Sequence, residues 1–142
     1  MIDVERLMVD VAGPGMGGTT VFIGTVRAGP DDGQVEAIEY SAYDEMADAE
    51  LDRILAEVAR GWPDARPAVL HRVGRVPTGE ASVAVVVAAP HRPVAFEASR
   101  FIIEEIKKRV PIWKREIFAD GTSGWRSNAD NSEDSAWVSR SP

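Results

Sequence analysis

The sequence predicts an α+β fold, in which one long helix and one shorter helix pack on mostly antiparallel strands. Short segments rich in valine, isoleucine and threonine recur along the chain and are separated by glycine- and proline-containing turns. Two longer segments instead repeat apolar residues every three or four positions, as amphipathic helices do. The composition, with 44% hydrophobic and 27% charged residues, is typical of one globular domain with a buried core.

The first part of the chain predicts a short helix followed by a β-hairpin. Residues 3–10 suit a helix with Asp3 as its N-cap, and the glycine-rich residues 12–18 form a loop. A phosphate-binding loop is not favoured there, because no Gly-Lys-Ser/Thr sequence follows. Residues 19–27 predict a strand, and residues 35–43 alternate enough to be its hairpin partner.

The middle of the chain predicts the first of the two amphipathic helices and two further strands. Residues 44–62 have helical spacing that Gly61 and Pro63 end, and the acidic residues of the other face are expected to be solvated. Residues 65–76 predict a second strand region. Residues 81–90 are nearly all apolar, which indicates a strand covered on both faces.

Residues 91–116 predict the long helix and the last strand. Pro93 suits a helix N-terminus, whereas Pro111 cannot continue the helix and favours extended backbone at Val110. Residues 112–118 then predict a strand. The apolar stripe of the helix comprises Ala95, Ala98, Ile102, Ile103, Ile106 and Val110.

The composition changes after this strand. From residue 119 the chain is rich in serine, aspartate, asparagine and glycine. We therefore expect one domain at residues 1–118 and a loosely ordered polar tail at residues 119–142, apart from Trp125 and Trp137.

Positive charge is concentrated in residues 91–116. The whole chain carries a net charge of −7, but this segment has seven Lys/Arg against four Glu, a net +3 that leaves −10 for the remainder. An acidic protein of this kind is a poor general nucleic-acid binder, whereas its basic segment suits a small anion or an acidic tail.

All three lysines of the chain, Lys107, Lys108 and Lys114, lie in the last ten residues of that segment. An amine crowded by other cations can lose its proton and act as a base or nucleophile. The cations that could crowd one another are Lys107, Lys108, Arg109, Lys114 and Arg115. The alternative is that these side chains only complement the negative end of the helix and remain solvated.

The remaining site types are restricted by composition. Cysteine is absent, which excludes disulfides and thiolate chemistry and favours a cytoplasmic location. Neither a signal peptide nor an apolar stretch long enough to span a membrane is expected. The two histidines are too far apart to favour a metal site. His91 with Arg92, at a strand-to-helix junction, is the better anion site, and His71 is expected to be structural.

Five motifs resemble those of the large, catalytic subunit of molybdopterin synthase, in the same order over roughly residues 17–125. They are FIGTVR (22–27), HRVG (71–74), AAPHRPVAFEA (88–98), IKKRVPIWKRE (106–116) and DGTSGW (120–125). The resemblance implies an α/β-hammerhead fold and a sulfurtransferase that builds the dithiolene of molybdopterin from cyclic pyranopterin monophosphate. It implies that the sulfur arrives as a thiocarboxylate on the C-terminal glycine of a small ubiquitin-like subunit.

The resemblance also implies an assembly and a set of site residues. Two large subunits form a homodimer that two small subunits flank, as a heterotetramer, with no cofactor, metal, nucleic acid or membrane involved. Lys107 and Lys114 match the catalytic lysines, although the residues do not indicate which lysine has which role. The substrate-binding positions that match are Thr25, Val26, Arg27, His91, Arg92, Lys107, Lys114, Arg115 and Glu116.

The sequence departs from this family in two places. The segment before Gly17 is short, so an edge strand of relatives is expected to be missing. Where some relatives have an arginine four residues after Trp125, this chain has Ala129, and Arg126 or Arg140 are candidates to replace it. Two other functions remain open from the residues: a non-catalytic module that binds the small subunit, and a sensor of anions or nucleotides.

Overall fold

The computed structural model describes residues 1–29 and 33–127. Within these residues the chain forms three helices and seven strands. In chain order they are α1 (Val4–Val11), β1 (Gly18–Thr25), β2 (Val35–Ala42), α2 (Asp44–Gly61), β3 (Arg66–His71), β4 (Gly74–Pro77), β5 (Ala81–Ala89), α3 (Arg92–Arg109), β6 (Ile112–Phe118) and β7 (Ser123–Ser127). The α+β prediction is confirmed.

The strands form two antiparallel sheets with the orders β1-β5-β3 and β4-β2-β6-β7. The centre of the first sheet is β5, whose residues are almost all buried, as its continuous apolar sequence predicts. Val83, Val85 and Val87 face the core shared with α3, whereas Ala84 and Val86 face α1. Helices therefore cover both faces of this strand.

The helix α3 begins and ends where the sequence predicts. His91 is its N-cap residue, and the predicted apolar stripe is buried against the first sheet. Val110 is extended, with φ −74° and ψ 125°, because Pro111 follows it. The helix α2 packs against α3 and has the same length, 18 residues. The two packed helices are therefore equal in length, where the sequence predicts one long and one shorter helix.

The predicted hairpin between residues 19–27 and 35–43 is wrong. The strand β1 pairs with β5, and β2 pairs with β4 and β6 in the other sheet. Alternation of apolar residues shows which face of a strand is buried but not which neighbour it pairs with. Because β5 is apolar on both faces and lies at a sheet centre, it needs a partner strand on each edge, and β1 supplies one.

The strand region predicted at residues 65–76 is confirmed, but it is divided between the two sheets. The chain forms β3 in the first sheet, turns at Gly74 and continues as β4 in the second sheet. Gly74 has φ +85°, a left-handed conformation that favours glycine. The HRVG segment is therefore the point at which the chain passes between the two sheets.

The segment after residue 118 contributes one more strand than the sequence predicts. β7 pairs with β6, and Trp125 lies opposite Arg115. Trp137, Ala129 and Arg140, with the rest of the predicted tail beyond residue 127, lie outside the described residues. At the other end, residues 1–17 form α1 and a loop but no strand. Of the helices in the part of the chain that the structure describes, none is both long and apolar enough to cross a membrane.

Candidate active site

The predicted site residues fall into two groups at opposite ends of α3. His91 and Arg92 lie at its N-terminus, whereas Lys107 lies in its last turn. At a rise of about 1.5 Å per residue, the helix separates these positions by about 24 Å. One chain therefore does not bring His91 and Arg92 to the lysines.

Residues near Lys107 come from the start of β5 and the end of β1. Because α3 follows β5 through a short turn and packs on it, α3 runs back and ends near the first residues of β5. Thr25 pairs with Ala81, and the Val26 N–H donates to the Glu80 carbonyl at 3.0 Å. We refer to this region, residues 25–27, 71, 80–83 and 106–110, as the lysine end.

Lys114 is connected to the lysine end by Tyr40 of β2. Lys114 lies opposite Tyr40 in the register of β2 and β6, so their side chains project to the same face of the sheet. The Tyr40 ring meets the His71 ring edge-on, with centroids 5.1 Å apart. The positive charge of Lys107 also acts on His71 and contributes to its low pKa. The structure thus places both predicted catalytic lysines around the Tyr40–His71 pair.

His71 is a partly buried, neutral histidine with a defined tautomer. Burial lowers its pKa to about 4, and the charge of Lys107 lowers it further, although the hydrogen bond to Arg72 has the opposite effect. The ring Nδ1 lies 2.7 Å from the Arg72 carbonyl oxygen. Because a carbonyl only accepts, Nδ1 carries the proton and Nε2 presents a lone pair. The burial and this hydrogen bond agree with the structural role that the sequence predicts.

Arg109 holds α3 to α2 at the lysine end, two residues from Lys107. Its guanidinium donates to Glu50 at 2.6 Å, to Glu57 at 2.8 and 3.0 Å and to Glu105 at 3.2 Å. These bonds raise the pKa of Arg109 and are the main cause of the lowered pKa of Glu57. The pKa of Glu50 is also lowered, first by Arg53 and then by Arg109.

The sequence does not predict this network. From the sequence the acidic face of α2 is expected to be solvated, whereas Glu50 and Glu57 are half-buried and bind Arg109. Their spacing of seven residues places both on one side of α2, and this spacing was the available signal. The predicted crowding of five cations is also reduced, since at least three of them bind glutamates. Lys108 pairs with Glu105, Arg109 with its three partners, and Arg115 with Glu39.

Arg115 lies on the opposite face of the second sheet from Lys114. It binds Glu39 across the register, and its guanidinium carbon lies 5.2 Å from the centre of the Trp125 ring. Glu116 follows the alternation of the strand and shares the face of Lys114. Of the two residues that flank the second lysine in sequence, the structure brings only Glu116 to the same face.

Residues 25–27, at the end of β1 and directly after it, contribute their exposed side chains to the candidate site. Thr25 and Arg27 are exposed, whereas Val26 is 1% exposed and belongs to the core. The Val26 carbonyl accepts from the Gly79 N–H at 2.7 Å, and the Val26 N–H donates to the Glu80 carbonyl. Thr25 and Arg27 are thus the members of this segment whose side chains can face a ligand.

His91 and Arg92 are exposed at the N-terminus of α3, where the first backbone N–H groups lack helical partners. The start of β1 packs closely beneath this junction because it has glycines. A Cβ on Gly17 would lie 2.4 Å from the Pro90 carbonyl oxygen, and one on Gly18 would lie 3.2 Å from the Arg92 Cα. Over residues 1–29 and 33–127 no group of His, Asp or Glu has a metal-binding arrangement.

Comparison with known proteins identifies the family. The family model described as MoaE protein matches residues 1–109. A Bacillus subtilis (strain 168) protein named molybdopterin synthase catalytic subunit is 42% identical over 120 residues, which cover 84% of this chain and 76% of that protein. The chain belongs to the MoaE protein family. This confirms the resemblance predicted from the five motifs.

Other members of the family and their structures agree. The Drosophila grimshawi molybdopterin synthase catalytic subunit is 40% identical over 129 residues, which cover 89% of this chain and 35% of that protein. The chain thus spans about a third of the length of the Drosophila relatives. The crystal structure of molybdopterin synthase from Staphylococcus aureus matches with 33% identity and a TM-score of 0.82, over 89% of this chain and 90% of that one.

A fourth comparison concerns the fold alone. A chain in the complex of subunits 1 and 2 of the molybdopterin-converting factor from Helicobacter pylori matches with 20% identity and a TM-score of 0.71. It covers 84% of this chain and 81% of that one. The MoaE fold therefore extends to a protein of much lower sequence identity.

Proposed function

We propose that this chain is the catalytic subunit of a molybdopterin synthase. As a sulfurtransferase, it transfers sulfur from the thiocarboxylated C-terminus of a small ubiquitin-like subunit to cyclic pyranopterin monophosphate and so builds the molybdopterin dithiolene. The observation that carries this proposal is the position of Lys107 and Lys114 around the Tyr40–His71 pair, in a member of the MoaE family. The lack of cysteine fits a cytoplasmic location for the reaction.

The proposed reaction requires proton transfers around an anionic substrate. Attack by the thiocarboxylate sulfur on a side-chain carbon of the pterin forms a carbon–sulfur bond and breaks a carbon–oxygen bond of that carbon, whose oxygen leaves with a proton. Water then cleaves the acyl–sulfur bond, which leaves a thiolate on the pterin and a carboxylate on the small subunit. A second thiocarboxylated small subunit repeats both steps at the neighbouring carbon. Lys107 and Lys114 supply two amines for these steps, since an amine can exchange protons or attach transiently to a carbonyl carbon. Arg27 at the same end supplies a guanidinium that suits the substrate phosphate.

Two copies of the chain are proposed to form each active site. His91 and Arg92 lie about 24 Å along α3 from Lys107. One small pterin cannot touch both groups of a single chain, so a second copy supplies His91 and Arg92 to the lysine end of the first. This supports the predicted homodimer, with one small subunit at each lysine end in a heterotetramer.

Reconstitution with the thiocarboxylated small subunit and the pterin precursor tests the activity. Lys107→Ala and Lys114→Ala should lose at least about 10²-fold in turnover, the scale expected for general acid–base groups. Lys108→Ala is the matched control, because Lys108 is exposed and pairs with Glu105 at 3.5 Å. Full activity of either of the first two variants would contradict the assigned roles. Tight binding of the small subunit without any turnover by the wild type would indicate a non-catalytic binding module.

Mixed dimers test the shared site. Lys107→Ala and Arg92→Ala chains, each inactive alone, should regain activity when they are mixed and allowed to exchange subunits. The hybrid then has one site with an intact Lys107 from one chain and an intact Arg92 from the other. If each site is built within a single chain, no hybrid site is intact and mixing restores nothing.

A further inference from the structure

The proposed function gives no role to the HRVG segment (71–74). Its first residue, His71, ends β3 and pairs with Val83 at the lysine end. The next residue fixes the backbone there: the Arg72 N–H donates to the Ser82 carbonyl at 2.8 Å, and the Arg72 guanidinium donates to Glu80 at 2.8 Å. His71 is therefore held rigidly at the lysine end.

The Nε2 atom of His71 is a buried acceptor that the fold itself does not use. The bond from Nδ1 to the Arg72 carbonyl oxygen fixes the proton on Nδ1, so Nε2 has only a lone pair to offer. This atom is buried and has no hydrogen-bond partner among the described residues. A buried acceptor without a donor destabilises the fold, so its presence requires an explanation.

The surroundings of the ring identify the donor. The Tyr40 ring covers one side of His71, and the Lys107 ammonium is near enough to act on its titration. The imidazole is neutral at neutral pH. A neutral acceptor can orient a lysine amine without the negative charge by which a carboxylate would stabilise the ammonium and retain its proton.

We propose that His71 is a positioning residue for Lys107: its Nε2 lone pair accepts a hydrogen bond from the Lys107 Nζ when the small-subunit tail and the pterin occupy the lysine end. This inference rests on the proposed function and extends it. Lysine has a long flexible side chain, and a single acceptor at a fixed place reduces the number of positions that the amine adopts. His71 thus acts through Lys107 and makes no contact with the reacting atoms.

Two substitutions at position 71 distinguish the roles of the two ring nitrogens. Asparagine at position 71 places an amide donor near Nδ1 and keeps the bond to the Arg72 carbonyl oxygen, but it has no atom at the Nε2 position. Glutamine reaches the Nε2 position with its amide oxygen. We expect His71→Asn to lose about 10- to 100-fold in kcat with KM for both substrates unchanged, the scale of a misplaced reacting group. His71→Gln should retain the larger share of kcat.

A purely structural role for His71 gives the reverse order, because only asparagine keeps the bond that the folded protein makes. His71→Asn with the kcat of the wild type would overturn the inference and leave the proposed function intact. If the wild type forms no dithiolene, the proposed function itself fails. In the Lys107→Ala background, adding His71→Asn should cause no further loss of the residual rate, since His71 acts through that lysine.

A measurement on the wild-type chain does not depend on the stability or activity of any variant. Nitrogen-15 NMR of the histidine ring should show the proton on Nδ1 in the free protein. The Nε2 resonance should shift when the small subunit and the pterin precursor bind, and it should not shift in Lys107→Ala. A proton on Nε2 in the free protein, or an equal shift in both proteins, would overturn the inference.

Discussion

Acidification from pH 7.5 to 5.0 is expected to remove about 2 kcal/mol of unfolding free energy through His71 alone. The pKa of this histidine is 6.5 in its ordinary state and about 4 in the folded protein, because burial disfavours the imidazolium. Above pH 6.5 neither state is protonated and His71 contributes nothing to the pH dependence. Between pH 6.5 and 4 the unfolded chain binds a proton that the folded chain does not, so stability falls as pH falls.

The magnitude follows from this pair of pKa values. A difference of one pH unit corresponds to about 1.36 kcal/mol, so the complete effect is about 3.4 kcal/mol below pH 4 and about 2 kcal/mol at pH 5.0. Glu50 and Glu57 titrate in a lower range, because their pKa values are lowered from 4.5. The stability that these carboxylates contribute is present above pH 4.5 and is lost below it, so His71 dominates the interval from pH 7.5 to 5.0.

Urea unfolding at fixed protein concentration, followed by tryptophan fluorescence at pH 7.5, 6.5, 5.5 and 5.0, measures the effect. His71→Asn should be nearly independent of pH over this interval, whereas the wild type should lose stability. The matched control is His91→Asn, which removes the other histidine of the chain, an exposed one, and should keep the slope of the wild type. A wild-type stability that stays constant from pH 7.5 to 5.0 would refute the burial of a neutral His71, as would an unchanged slope in His71→Asn.

Two further predictions concern the ends of α3. Gly17→Ala should lower Tm and weaken binding of the pterin precursor, because the new Cβ would lie 2.4 Å from the Pro90 carbonyl oxygen and displace the junction at which α3 begins. Calorimetry measures Tm, and titration measures the binding. Gly15→Ala, whose Cβ would meet nothing within 4 Å, should behave as the wild type. Arg109→Met should lower both Tm and kcat, because Glu50, Glu57 and Glu105 lose their shared partner and the last turn of α3 is released near Lys107. Arg53→Met removes an exposed arginine that pairs with Glu50 on its own helix, and it should change neither quantity measurably in thermal unfolding and turnover assays. Equal effects of the two arginine variants would contradict the role of the network.

The sequence alone determined the features that depend on short stretches of chain. The stripe from Ala95 to Val110 defines α3, and Pro111 ends it, because helical spacing and the geometry of proline act over a few residues. The continuous apolar residues of β5 likewise predict a strand covered on both faces. The family motifs named Lys107 and Lys114, and the family itself is confirmed.

Only the tertiary structure decided which segments meet. The strand β1 pairs with β5, and β2 belongs to the second sheet. Strands that lie far apart in the chain compete for each sheet edge, and the local pattern of a strand does not show which of them pairs there. The same holds for the site. The register of β2 and β6 places Tyr40 opposite Lys114, and the packing of α3 on β5 brings Lys107 to His71.

The difference between what the sequence determined and what the tertiary structure decided has one physical cause. Periodicity, caps and breaks reflect interactions within a few residues, so the sequence displays them directly. The binding of Arg109 by α2 and the pairing of Arg115 with Glu39 arise from contacts between residues far apart in the chain. Such contacts form only when the elements pack, and here that packing creates the candidate site.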